Sequence, residues 1–376
     1  MANPIQGMRI AYDFFRAARD NEHIYTDDEI KKFLLTVVSD EKIRNRYKNF
    51  MSGYSAEELF RRVYSLLPWV DLIVPLGQEQ YPEESKESIQ TPDYEVSYQA
   101  GSKDNIAKML IEVKLVNDDK ETFNLPKYKY NVLKKYEDNS KEPLLFAIFW
   151  RKYMIWTVNS IESFLKKSSE YKITFEEAIR NDLSAIMGDY SYVFRKDVYR
   201  RSKYNSIKNI DSEYYHFHQD FGRATYEGLS KDSVNYEKLC FLETPVLDCA
   251  FNFKEINRKN IDKSDTEIIE KLDFKKGMYV YRLSNLILKY LLKIYCYDNS
   301  DMYYKDNLVV QNAFGIIDTV RRKLGGEKFY SLPYNRNEKI DNLVNIQFGQ
   351  VDHIYKSYCK LERKKEQVLL FPHDNI

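Results

Sequence analysis

The run Met109-Leu110-Ile111-Glu112-Val113-Lys114-Leu115-Val116 leaves this chain little freedom. Its apolar, β-branched character reads as a strand, and a strand turns alternate residues to opposite faces. Ile111, Val113 and Leu115 then share a face that goes to a core. Glu112 and Lys114 share the other. Burying a charge without a partner is costly, so that face is either wet or furnished with partners. Upstream, Asp93, Glu95 and Ser97 alternate with Tyr94, Val96 and Tyr98, the period of another strand. Pro92-Asp93 opens it, so a neighbouring strand offers a second carboxylate.

Asp93, Glu112 and Lys114 together form a set suited to cutting a phosphodiester. A hard divalent cation such as Mg²⁺ takes oxygen ligands, usually one or two carboxylates with substrate phosphate and water. Asp93 and Glu112 are the candidate metal ligands, for Mg²⁺ with Mn²⁺ as a substitute. Lys114 is the candidate catalytic cation: it would orient or help deprotonate the attacking water and offset charge on the phosphoryl group. The structural alternative is that Glu112 and Lys114 are the solvent face of a half-covered strand.

This arrangement resembles the PD-(D/E)xK nuclease superfamily, through Pro92-Asp93 and Glu112-Val113-Lys114. The order of elements is similar too: a helix at 56–67, a strand at 70–76, the Asp93 and Glu112 strands, a helix at 127–137, a very apolar strand at 143–150 and a strand at 153–158. The resemblance covers about residues 50–160. It implies an α/β fold with a restriction-endonuclease-like mixed-sheet core, αβββαββ. It also implies a metal-dependent nuclease acting on DNA, with RNA open as substrate. The setting it suggests is prokaryotic restriction or anti-phage defence, in a homo-oligomer or beside a defence-complex partner. The family often adds an acidic residue from the first helix. Glu58 is the first candidate and Glu57 the next, although Ser55 with Glu58 also has the form of a capping box. The helix after the lysine reads Tyr130-Asn131-Val132-Leu133-Lys134-Lys135-Tyr136 and lacks the Gln-x-x-x-Tyr of end-processing branches. A nucleic-acid-binding or scaffold subunit that keeps the fold is the rival reading.

A net charge of +1 argues against a broadly basic coat, but a local basic stripe is sufficient for DNA binding. Lys127, Lys129 and Lys134, just after the proposed site, are candidates for phosphate contacts; a solvated helix face is the alternative. The four cysteines form no Cys-x-x-Cys pair, which gives no zinc signature and fits a reducing cytoplasm. The most apolar helical stretch, 283–297, is broken by Lys289 and Lys293 and is too short to span a bilayer. No G-x-x-x-x-G-K-[ST] loop is present, which argues against a P-loop motor.

In a chain of 376 residues two domains are the natural expectation. Residues 1–50 read as an N-terminal helical segment, with a capping box at Thr26-Asp27-Asp28-Glu29. Residues 51–165 hold the nuclease-like domain, with a polar loop at 78–90 from which Glu79 could approach a metal. Residues 166–376 form a C-terminal domain expected to be mainly helical, for recognition, partner binding or regulation. There Thr174 to Glu177 opens a helix running to about Met187, stopped by Gly188. Ser264 to Glu267 repeats the capping-box form, and 279–297 and 308–324 read as amphipathic helices.

Overall fold

The computed structural model describes residues 4–20, 25–67, 69–77, 88–99, 106–194, 198–205, 215–218, 222–229, 236–238, 253–261, 265–272, 278–288, 327–329, 338–348 and 368–369. The chain opens with α1 (Pro4–Asp20), α2 (Asp27–Val37), α3 (Glu41–Arg44) and α4 (Tyr47–Tyr64). The expected capping box starts α2: Thr26 Oγ1 accepts from the Glu29 backbone N–H, and Glu29 Oε2 accepts from the Thr26 N–H. Met8, Ala11, Leu34, Val38, Tyr47 and Tyr54 give this helical segment a small core.

One expectation is corrected here. α4 starts at Tyr47, so Ser55 and Glu58 lie inside the helix and form no capping box. The cause is tertiary. Tyr47, Phe50, Met51 and Tyr54 pack on the helices before them and carry α4 back past the expected start.

The main sheet uses β1 (Val70–Pro75), β2 (Tyr94–Gln99) and β3 (Ile106–Val116). After β3 the chain crosses over through β4 (Thr122–Pro126) and α5 (Lys127–Asn139), then adds β5 (Leu144–Trp150) and β6 (Ile155–Ser160). The strand order is β1-β2-β3-β5-β6. The β3–β5 pair is parallel and the other neighbours are antiparallel. This is a mixed sheet with the expected succession of elements, and β4 is an addition to it.

Both faces of the sheet are covered. On one, Phe60, Val63 and Leu67 of the α4 region meet Val96, Ile111 and Val113. On the other, Leu133 of α5 meets Leu110, Phe146 and Ile148. A strand covered on both sides reads as an unbroken apolar run, and β5, LLFAIFW, is buried at every position.

A smaller sheet flanks α5. β7 (Leu165–Lys167) and β8 (Glu170–Thr174) form a hairpin, and β8 pairs with β4. Tyr130 of α5 stacks on Tyr171 of β8, with ring centroids 3.6 Å apart. α6 (Phe175–Arg180) opens on the predicted Thr174–Glu177 capping box. It stops at Arg180 rather than near Met187. Asp182 takes the chain out of the helix: its Oδ1 accepts from the Val158 N–H at 2.8 Å and the Ser184 N–H at 3.3 Å. A short 3-10 turn, Ser184–Met187, follows, and Gly188 ends it at φ 76°.

Beyond residue 190 the described residues are mostly strand, which corrects the expected mainly helical C-terminal region. Asp265–Leu272 is a strand rather than a helix start. It pairs along its length with Tyr199–Asn205, where Arg200 Nε donates to Glu270 Oε2 at 2.7 Å. The expected helix at 279–297 begins as the strand Met278–Arg282, with residues 283–288 helical after it. The expected helix at 308–324 and the loop position Glu79 lie outside the described residues.

The region past residue 165 shares the main interior. Leu183, Ile186, Leu286 and Ile340 belong to the same buried cluster as Phe60 and Ile111. A polar latch accompanies them. Arg282 Nη2 donates to Asp182 Oδ2 at 2.6 Å, and its Nη1 donates to the Trp156 carbonyl. Asp189 accepts from the Ser284 N–H at 2.8 Å and the Tyr64 hydroxyl at 3.1 Å. Among the described residues no helix is long and apolar enough to cross a membrane.

Candidate active site

β2 and β3 bring the acids together. The pairing Tyr94↔Ile111, continued by one residue, sets Asp93 across from Glu112. Asp93 Oδ2 accepts from the Val113 backbone N–H at 2.7 Å, which fixes its carboxylate against β3. Lys114 Nζ stands 2.6 Å from Glu112 Oε1 and 3.9 Å from Asp93 Oδ2. Three side chains separated along the sequence therefore occupy one place.

The face they share is not solvent. Glu112 is 1% exposed, so the half-covered strand fails as an explanation of the Glu-x-Lys pattern. Lys114 partners one oxygen of that carboxylate; the other, Oε2, is buried with no hydrogen-bond partner. Native proteins seldom leave a buried carboxylate oxygen unsatisfied. A hard cation is the group whose chemistry matches an acceptor-only oxygen in an acidic cluster. The residues present therefore fit a divalent ion held by Asp93 and Glu112. Among the described residues no group of three His, Cys, Asp or Glu forms a ready metal cage. Mg²⁺ does not need one, because it keeps waters and shares substrate phosphate.

The electrostatics follow from crowding two acids in a dry place. Burial, and then the neighbouring Glu112 carboxylate, push the Asp93 carboxyl up to about 8, against the pull of Lys114. Burial alone would lower Lys114, but Glu112 and Asp93 outweigh it and hold the ammonium above its ordinary value.

The first core helix brings a further acid. Burial raises the Glu57 carboxyl, and its field reaches Lys114 and Glu112. Arg9 of α1 holds it, with Nη1 2.9 Å from Glu57 Oε2. Glu58, one residue on, makes other contacts. It accepts from the Tyr12 hydroxyl at 2.8 Å and from Arg62 Nε at 3.1 Å, tying α4 to α1.

The lysines after the site divide in the same way. Lys129 is half-buried; burial lowers its pKa, while Glu112 pulls it up and Lys114 pushes it down. It donates to the Gln90 side chain. Lys127 is exposed at the start of α5, next to Tyr128, which is 71% exposed. Lys134 is committed to carboxylates: Glu137 at 2.7 Å, Glu162 at 3.1 Å and Asp138 at 3.2 Å. Gln90 and Arg9 escaped sequence reasoning. Neither sits in a pattern that announces it; each meets its partner only through the packing of helices.

No family model matches this chain, and no curated protein matches it. Among solved structures, the chain is similar to Hjc of Archaeoglobus fulgidus, a Holliday junction resolvase from an archaeal hyperthermophile. The likeness covers 36% of this chain and 96% of that one, at 13% identity and a TM-score of 0.27. At that score the reading of the site rests on its own residues.

Proposed function

We propose that the protein is a metal-dependent nuclease that hydrolyses phosphodiester bonds, with DNA as substrate and Mg²⁺ as the working ion. The observation that carries this reading is the buried meeting of Asp93, Glu112 and Lys114, with Glu112 Oε2 left unpartnered. Asp93 and Glu112 would hold the ion. When bound, it supplies a Lewis acid for the phosphoryl oxygen and lowers the pKa of water.

The chain's own groups do the rest. A lysine ammonium has three N–H donors. Lys114 spends donors on Glu112 Oε1 at 2.6 Å and the Val113 carbonyl at 2.8 Å. The remaining N–H orients the attacking water and meets charge growing on the phosphoryl group. Glu57 is the acid that the first helix contributes. Lys129, by exchanging Gln90 for substrate, contacts the phosphate beside the cut. The setting that goes with this reading is restriction or anti-phage defence, from the resemblance of the Pro-Asp and Glu-x-Lys motifs.

The test uses purified protein on plasmid, linear duplex, single-stranded DNA and RNA, with Mg²⁺, Mn²⁺ or EDTA. Lys114→Ala and Asp93→Ala are assayed beside it. DNA cleavage that needs the ion and both side chains is expected. Cleavage in EDTA, or equal cleavage by the variants, would sink the mechanism. Cleavage of RNA alone would replace the substrate.

A further inference from the structure

The β7–β8 hairpin holds a charge arrangement that the fold does not explain. Its register pairs Lys167 with Glu170 and Leu165 with Lys172. Tyr171 and Ile173 turn inward to the core. Leu165, Lys167, Glu170 and Lys172 therefore share the outward face, with Lys167 and Lys172 as diagonal neighbours of like charge. Like charges across strands destabilise a hairpin. Lys108, by contrast, sits on Glu95 at 2.7 Å. Among the described residues, Lys127, Lys166, Lys167 and Lys172 have no carboxylate within ion-pair distance. The acids facing Lys167 are Glu170 and Glu177, and both act on it only at a distance. Lys172 in turn lowers the proton affinity of Lys167, as close approach of two ammonium groups requires.

The hairpin is joined to the acidic centre through α5. The Lys127 backbone N–H donates to the Ser169 carbonyl at the hairpin tip, at 3.4 Å. Two residues on, Lys129 lies in the field of Glu112 and Lys114. Lys129 and Lys127 on α5 and Lys167 and Lys172 on the hairpin bonded to it thus stand on two joined elements, one of which reaches the centre. Their shared sign suits a phosphate backbone, which lysines contact without regard to base sequence.

We propose that these lysines carry the backbone of the DNA strand away from the acidic centre, with Lys167 and Lys172 clasping one stretch of phosphates. The occupant is taken as DNA on the strength of the nuclease reading above. Lys134 takes no part, because acids already hold it.

The test is binding rather than cleavage. A fluorescein-labelled duplex is titrated with parent protein, with Lys167→Ala/Lys172→Ala and with Lys32→Ala from the distant α2. Ca²⁺ replaces Mg²⁺, and salt is varied. For duplex DNA the slope of log affinity against log salt changes by roughly 0.9 per phosphate contact. The double variant is expected to lose about 2 from that slope and to bind more weakly, while Lys32→Ala follows the parent. A double variant with the parent's slope and affinity overturns the proposal, as does a parent that does not bind the duplex. If the plasmid is cut with Mg²⁺ yet the slope is unchanged, this surface falls and the nuclease reading stands. If the slope falls yet no substrate is ever cut, the surface stands and the nuclease reading falls.

Discussion

Lys114 Nζ lies 2.6 Å from Glu112 Oε1, two residues back on the same strand, with the Glu112 side chain 2% exposed. Removing one member of a buried ion pair strands the other charge, at a cost of roughly 3–5 kcal/mol. Lys114→Ala is therefore expected to lower stability in EDTA, read by urea unfolding. Its cleavage should fall by about 10²-fold or more. A variant that keeps parental stability and cleavage would show that the contact is incidental.

Adjacent glutamates on α4 make a sharper comparison. Glu57 reaches the acidic centre electrostatically, whereas Glu58 is taken up by Tyr12 and Arg62. Glu57→Gln should reduce Mg²⁺-dependent cleavage more than Glu58→Gln does. Glu58→Gln should loosen the seat of α1 on α4 instead, seen as faster amide exchange in α1. A reversed order of cleavage would move the helix acid to Glu58.

Asp189 adds to a pH dependence that Asp93, pushed up to about 8, also imposes. Burial pushes its carboxyl up to about 6, against Arg282 and the hydrogen bond from Ser284. An unfolded aspartate titrates near pH 3.9. The folded state thus holds a proton that the unfolded chain has released. Its stability contribution is full below about pH 4 and is lost as pH rises toward about 6, by at most about 1.4 kcal/mol per pH unit. Denaturation midpoints across this window should fall with pH in the parent. Asp189→Asn should lessen that fall below about pH 6 while the part due to Asp93 persists; an unchanged profile assigns all of it to other groups.

Gly188 tests the turn after α6. At φ 76° an L side chain is strained, and a Cβ there would run into the Trp69 ring. Gly188→Ala is expected to cost on the order of 1–3 kcal/mol from backbone strain, with more from overpacking. Thermal melts of the parent and variant measure it. An unshifted melting temperature would mean that Trp69 swings aside and the backbone relaxes.

Local signals in the sequence proved legible where the elements depend on near neighbours. The capping boxes at Thr26 and Thr174 form as expected, because each closes within one helical turn. The β3 strand and the apolar run of β5 also formed as expected, and β5 is buried along its length because both faces of the sheet are covered. The same Ser/Thr-to-Glu pattern misled twice. At Ser55 the preceding aromatics extend the helix through it. At Ser264 the partner strand Tyr199–Asn205 draws Asp265–Leu272 into a sheet, and that partner is distant in the chain. In the site, Asp93, Glu112 and Lys114 were readable as residue types at a spacing. The approach of Glu57, Gln90 and Lys129 depends on helix placement, which no short window of sequence encodes.

The Arg282–Asp182 latch and the interior it closes bear on any attempt to isolate the acid-bearing half. A gene fragment ending near residue 165 would lack Leu183, Leu286 and Ile340, leaving a greasy scar beside Phe60. Such a polypeptide should clump on expression, so the acidic centre is no portable cassette. Whatever else the later segments do, they also serve as ballast without which the hull does not float.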